Sequence, residues 1–464
     1  MNPDILITNG RVVPGDGATV LDPGSVRIRG DQIIEVGEGR TESRAETFVI
    51  DAAGHTVIPG IINAHAHGCV FGPSMPSGSP PFTANDIEYF RNRHLISGTT
   101  TLLNVCGLAL PAEIDRNPPV GHPLDIHVTT AHTPSNIQAA LAIDGKGLRQ
   151  KHRSAAMETM IDRGAKALGE AGGGQTLGGG AQDYRFIPEA VFAATGTNLP
   201  PKYARALKEA ILGRSLTGEG ARPDDIPALL ADCGLAASIR PEEIMHLIKR
   251  TVMPPVKLSL QGLEEIAAAS ERYDLPGIFH HALPTAQTLI RLAETYPRAR
   301  MVAAHANHPS FEPEECASYA RQLREHGTFI DVSTLDCIST RWRNDPTNFD
   351  RLIEEGLVDT LSTDFAGGDW DSILDAIQRI VKRRMLVLPQ AIALATGNVA
   401  RVFPELAGDR GRLENGKRAD LAIVENHNLA RVRHVLIRGR VVVFNGARIG
   451  SSHLSDCSQT GCAN

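Results

Sequence analysis

Eight short apolar runs that alternate with helical patterns constrain this chain more than any other feature. The runs are 57–62, 100–104, 125–129, 165–168, 277–280, 301–304, 328–332 and 360–362, and helical stretches such as 263–273 and 286–296 lie between most of them. Parallel strands need long crossovers, usually helices. Eight such units in succession predict a parallel (β/α) barrel with insertions. A doubly wound sheet would carry a Gly-rich phosphate loop after an early strand, and none follows 57–62 or 100–104.

The two ends of the chain differ from the middle. Residues 5–8 and 11–13 flank Asn9-Gly10, and 25–29 and 32–36 flank Gly30-Asp31. Alternation at period two with such punctuation is a hairpin signature. Residues 420–424, 432–437 and 441–444 have the same texture. One β unit built from both termini is expected, a β-sandwich of 1–58 and 409–455 around a barrel of 59–408, with a tail at 456–464. Residues 175–256 are too long for an ordinary βα loop and read as a helical insertion, with helices at 202–212 and 241–252. Glycine clusters at 172–174 and 178–180 open it, and a flap over any site at that rim is expected.

Composition narrows the function. Net charge is −6 over 464 residues, and no like-charge block advertises a nucleic-acid or acidic-lipid partner. No apolar run is long enough to span a membrane, and the first residues lack a signal-peptide pattern. Seven cysteines, an odd count, argue against a disulfide framework and for a reducing cytoplasm. Cys457 and Cys462 fall in a polar tail, where a frayed terminus is the plainer reading.

The chemistry sits at strand ends. His65 and His67 follow the first run, and residues two apart on a strand point to one side. Glu170, His280, His305 and Asp364 each end a later apolar run. Any one of them alone reads as an ordinary polar residue or helix cap. Together they would share the C-terminal rim, where barrel chemistry sits. Imidazole and carboxylate donors suit divalent metals, and an open metal site lowers the pKa of a bound water to about 7. A free Asp within reach can take that water's proton. His281 rivals His280, and Lys166 rivals Glu170. His281, His132 and Asn307 are the candidates for substrate contact, and His308, Asn104 and Cys106 are further pocket candidates.

At these residues the chain resembles the amidohydrolase superfamily. The segment from Val57 through Asn63-Ala64-His65-Ala66-His67-Gly68 resembles its entry motif, with Asn63 where Asp is usual. Ala395-Thr396-Gly397-Asn398 and the stretch from Gly411 to Leu421 resemble the last barrel helix and the return to the β unit. The resemblance implies an α/β fold, a distorted (β/α)8 TIM barrel plus a β-sandwich. It also implies roles: His65 and His67 on the buried metal, His280 and His305 on the second, Asp364 as ligand and general base. Many members use a carboxylated Lys on the fourth strand. Here Gly169-Glu170-Ala171-Gly172 looks like the enamidase branch, with Glu170 as bridging ligand. His305-x-Asn307 also resembles that branch, and the insertion resembles the phenylurea and molinate hydrolases, which implies degradation of xenobiotics.

The expected reaction is hydrolysis of a carbonyl–heteroatom bond in a small molecule: an amide, urea, carbamate or thiocarbamate. Metal-bound hydroxide attacks and Asp364 shuttles the proton. One or two ions (Zn, Co, Fe or Mn) and a homo-oligomer, dimer or tetramer, are implied. Two alternatives are weighed. Deaminases of the superfamily carry a Glu soon after the fifth-strand His, and 280–285 has none. A catalytically silent relative would lack ligands, and every position is filled.

Overall fold

The computed structural model describes residues 4–39, 47–115, 121–172, 176–178, 180–341 and 344–450; Cys457, Cys462 and the tail lie outside them. Gly60 divides the apolar run 57–62 into two strands. His55–Pro59 pairs with Leu421–Glu425 in the terminal sheet, whereas Ile61–Ala66 opens the barrel. A Cβ at Gly60 would run into the Thr100 side chain, so glycine lets the chain cross between the two units.

The terminal unit is a single nine-stranded sheet. C-terminal strands Ala447–Arg448, Arg440–Phe444, Val432–Ile437 and Leu421–Glu425 continue through His55–Pro59 into Asp4–Val12, Leu21–Arg29 and Gln32–Glu38. Thr47–Asp51 adds in parallel to Asp4–Val12. The expected two-layer sandwich is therefore one hydrogen-bonded sheet around one core that includes Ile7, Val26, Val57, Leu421 and Leu436. His55–Pro59 accepts a neighbour on each edge, which joins the two halves. The turn expected at Asn9-Gly10 is instead an irregularity inside Asp4–Val12, with Asn9 at φ 62° and a register shift between Ile7 and Gly10. Pairing of Arg11 with Thr56 keeps the strand extended past it.

Eight parallel strands form the central unit: β1 (Ile61–Ala66), β2 (Thr99–Asn104), β3 (Asp125–Val128), β4 (Leu168–Ala171), β5 (Gly277–His280), β6 (Met301–Ala304), β7 (Phe329–Ser333) and β8 (Thr360–Ser362). Their ladders make two sheets, β1-β2-β3 and β8-β7-β6-β5-β4. Single parallel bridges join these sheets at both seams, Thr130 to Leu168 and Ala66 to Phe365. Backbone hydrogen bonds reinforce them: Gly169 N–H donates to Thr130 O (2.9 Å) and Asp364 N–H to His65 O (2.9 Å). Pairing among the described residues is thus by ladder within each sheet and by isolated bridge beyond the strand ends between them.

Between β4 and β5 runs a helical insertion, Ile187–Thr195, Pro201–Leu212, Ile226–Asp232 and the 33-residue helix Pro241–Tyr273. The last corrects the separate helices expected at 241–252 and 263–273, and the insertion boundary at 256 falls inside it. Pro254 and Pro255 lie in its interior without ending it. Ile244, Ile248, Val252, Val256, Leu263 and Ile266 continue one buried face through the prolines, and that packing outweighs the local cost of proline. Among the described residues no helix is long and apolar enough to cross a membrane.

Candidate metal centre

Local backbone geometry aims the donors. His65 ends β1 with Ala66, and His67 follows the strand, so both rings leave on one side. His305 and Asp364, just past β6 and β8, have φ of 41° and 49°. Such left-handed conformations are costly for residues with a Cβ and cluster at functional sites. Glu170 lies within β4 behind Gly169, whose φ is 98°; a Cβ at 169 would run into the Ile278 carbonyl.

All six expected donors converge. Four donors held about 2.0–2.2 Å from a tetrahedral ion stand roughly 3.3–3.6 Å apart. His65 Nε2 and His67 Nε2 lie 3.4 and 3.2 Å from Asp364 Oδ1, and each lies 3.6 Å from Glu170 Oε2. The other oxygen, Glu170 Oε1, is 3.1 Å from His280 Nδ1 and 3.0 Å from His305 Nε2. One carboxylate therefore faces two donor groups, one with each oxygen. His65 Nε2 is buried and has no hydrogen-bond partner of good geometry, which suits a metal-ligating nitrogen. These separations and this N/O donor set fit a divalent cation such as Zn.

Electrostatics agree with the geometry. Burial opposes charge on Glu170, yet the hydrogen-bonded His280 and His305 rings and the facing His65 ring outweigh it and hold the carboxyl well below its usual range. Burial likewise opposes ionisation of Asp364, but His305, His67 and His65 bring it down to about 2. His65 and His305 are held above the ordinary imidazole value, since the facing carboxylates outweigh burial. His280 is pushed down, chiefly by burial.

The rival residues separate clearly. Lys166 precedes β4, whereas Glu170 is within it. His280 turns to Glu170. His281 turns to Phe311, with ring centroids 4.9 Å apart, and neither of its nitrogens has a hydrogen-bond partner among the described residues. Asn307 spends its amide on the Ser333 backbone, donating to the carbonyl (2.9 Å) and accepting from the N–H (2.8 Å). These bonds tie it to β7. His132 is buried with Nδ1 2.9 Å from Thr130 Oγ1. Asn104 accepts from Cys69 N–H, and burial pushes the Cys106 thiol up to about 11. His308 packs beside His280, centroids 5.4 Å apart. Gly178, at the start of the insertion, closes over both: a Cβ there would stand 3.2 Å from His308 Cε1 and 3.5 Å from His280 Nε2. The residues 173–175 and 179 of the expected flap lie outside those described.

Asn63 and His94 do work that the sequence does not announce. Asn63 Oδ1 accepts from the N–H groups of His65 (3.3 Å) and Thr363 (3.2 Å). Its Nδ2 donates to Thr363 Oγ1 (2.8 Å) and His94 Nδ1 (3.4 Å). Burial, then Arg93, pushes His94 down to about 3, so a neutral amide meets a neutral ring. Asn63→Ala strands two buried N–H groups at about 1–3 kcal/mol each. It is expected to lower the thermal midpoint and weaken metal affinity about 10- to 100-fold. A metal titration identical to wild type would remove the positioning role. Asp331, inside β7, is also buried; it accepts from Thr360 and Ser362 (2.7 Å each). An acid within the apolar run 328–332 was the visible signal for it. His94 offered none, because its partner is remote in sequence.

Comparison with known proteins follows the same lines. The family described as "Amidohydrolase family" matches residues 192–442. An allantoinase of Salmonella choleraesuis is 30% identical over 116 residues, covering 25% of this chain and 22% of that enzyme. The chain thus matches under a quarter of that curated relative's length. A β-aspartyl dipeptidase from Fervidobacterium islandicum, solved with a β-Asp-Leu dipeptide, is 15% identical with a TM-score of 0.55, covering 96% of this chain and 98% of its own. A molinate hydrolase is 16% identical with a TM-score of 0.50, covering 95% of each chain. At these identities the structural likeness concerns the fold alone: a TIM-barrel domain with a β domain.

Proposed function

From the premise that the chain belongs to the amidohydrolase family, we propose that it hydrolyses an amide, urea, carbamate or thiocarbamate, mainly at C–N, in a small molecule. The observation that carries this reading is Glu170, whose two oxygens face His65 and His67 on one side and His280 and His305 on the other. One or two divalent ions held there would supply an acidified water and polarisation of the substrate carbonyl. His65, His67, Glu170 and Asp364 would hold one, and Glu170, His280 and His305 the other.

Asp364 is the proton carrier of this scheme. Its side chain is 17% exposed against 3% for Glu170, so it is the carboxylate that a substrate reaches. Held ionised, its oxygen accepts a proton from the attacking water and returns it to the departing nitrogen or sulfur. Glu170 and the four imidazoles, all buried, fix the positions of the reacting groups and limit the water around them.

Metal analysis together with assays on a panel of amides, ureas and carbamates tests the reading. Chelation is expected to abolish turnover, and Zn, Co or Mn to restore it. A protein without bound metal whose inactivity no ion reverses would sink it. The raised His65 and His305 pKa values set the sign of the pH dependence. Metal must displace protons there, so ion uptake releases protons, and affinity falls as pH drops through those raised values.

A further inference from the structure

A cavity lies on the rim that carries the candidate metal donors. Its volume is about 400 Å³, within the usual range for small-molecule sites, about 300–1,000 Å³. Three segments wall it: residues 71–81 after β1, 112–115 after β2, and 147–152, which lie beyond the helix Pro134–Ile143 that follows β3. None of the six metal donors lines it.

The floor is a built structure. Phe71 N–H donates to Glu113 O (2.8 Å), which ties the first loop to the second. The Glu113 carboxylate takes the N–H of Leu110 (3.0 Å), His152 Nε2 (3.0 Å) and the Lys151 ammonium. Although burial opposes it, His152, Leu110 and Lys151 bring Glu113 down to about 2. Arg149 N–H donates to His152 Nδ1 (2.9 Å), so that ring carries its hydrogen on Nε2, toward Glu113. A Cβ at Gly72 would run into this carboxylate, so the first loop lies flat on it.

Charge counting identifies the free group. Of the two carboxylates in the wall, Glu113 is paired with Lys151 and Asp115 with Arg91 (3.0 Å). Arg149 lines the same cavity, and its exposed side chain has no ion pair among the described residues. Around it Pro73, Pro81 and Ala112 give apolar wall.

We propose that this cavity binds a small monocarboxylate with an apolar body, its carboxylate paired with Arg149. A planar guanidinium recognises a carboxylate through two parallel hydrogen bonds. Two acids so near disfavour a doubly charged anion. The binding is independent of hydrolysis at the metal centre.

Calorimetric titration of the metal-loaded protein with benzoate tests this. Saturable binding is expected, weaker by about tenfold or more for benzamide and for Arg149→Gln, as loss of a charge-assisted hydrogen bond implies. Benzoate should bind the chelated, metal-free protein equally well. The proposal is overturned by no binding, by equal binding to Arg149→Gln, by equal binding of benzamide, by tighter binding of inorganic phosphate, or by loss of benzoate binding on chelation. The last outcome would put the anion on the metal ions. Failure of hydrolysis with benzoate binding intact would sink the proposed function and leave this site standing.

Discussion

Asp364→Asn is expected to lower kcat by about 10²- to 10⁴-fold, the usual contribution of a positioned acid or base, with thermal unfolding near that of wild type. The amide has the shape of the carboxylate and keeps an oxygen for the ion, but it cannot take a proton at neutral pH. The native group is well suited to the task, since His305, His67 and His65 hold it ionised at about 2 against the cost of burial. It is also the most exposed of the four groups around His65. Metal content must be measured beside kcat, because Asp364 Oδ1 stands 3.2 Å from His67 Nε2. Full metal occupancy with a collapsed kcat supports proton transfer. Full activity in the variant refutes it.

Glu170→Gln should cost more than any other substitution at the centre. The carboxylate faces four imidazoles, and removing its charge takes from His65 and His305 one of the two carboxylates that each faces. Metal affinity is expected to fall more than about 100-fold, beyond what loss of a supporting hydrogen bond costs, and activity with it. Metal analysis after dialysis reads this directly. Lys166→Ala, assayed in parallel, should retain its metal; the reverse result would make the lysine the bridging group. Stability follows by linkage. The Glu170 pKa is lowered in the folded state, so its contribution is present above the ordinary carboxyl value and is lost as pH falls through the lowered one. Wild type and variant should therefore differ in stability at neutral pH and converge in strong acid.

Much of this was legible in the sequence. The runs 277–280, 301–304 and 360–362 coincide with β5, β6 and β8, because a short apolar run with polar flanks fits a buried parallel strand and little else. The donors were visible for the same reason, as polar residues closing such runs. What stayed hidden depends on register and distance. Neighbouring residues on a strand face opposite ways, so His280 and His281 are equivalent until the pairing of β5 with β4 and β6 is known. Asn63 was visible as an exception to a motif, but its purpose lies in Thr363 and His94. Pro254 and Pro255 argue locally for a break, which only the packing of the long helix overrules.

The two seams carry a mechanical consequence. His65 lies in the three-stranded sheet and His67 just past its strand β1, whereas Glu170 and His280 lie in the five-stranded one, with His305 and Asp364 just past its strands β6 and β8. The donors thus straddle the lines along which the strand array has only single bridges. An ion gripped from both sides would work as a rivet through these joints of the wall. Its binding free energy adds to folding by mass action. Such an ion would then be architectural as well as chemical, and a change at any of these six residues is expected to loosen a joint as well as slow the proposed reaction.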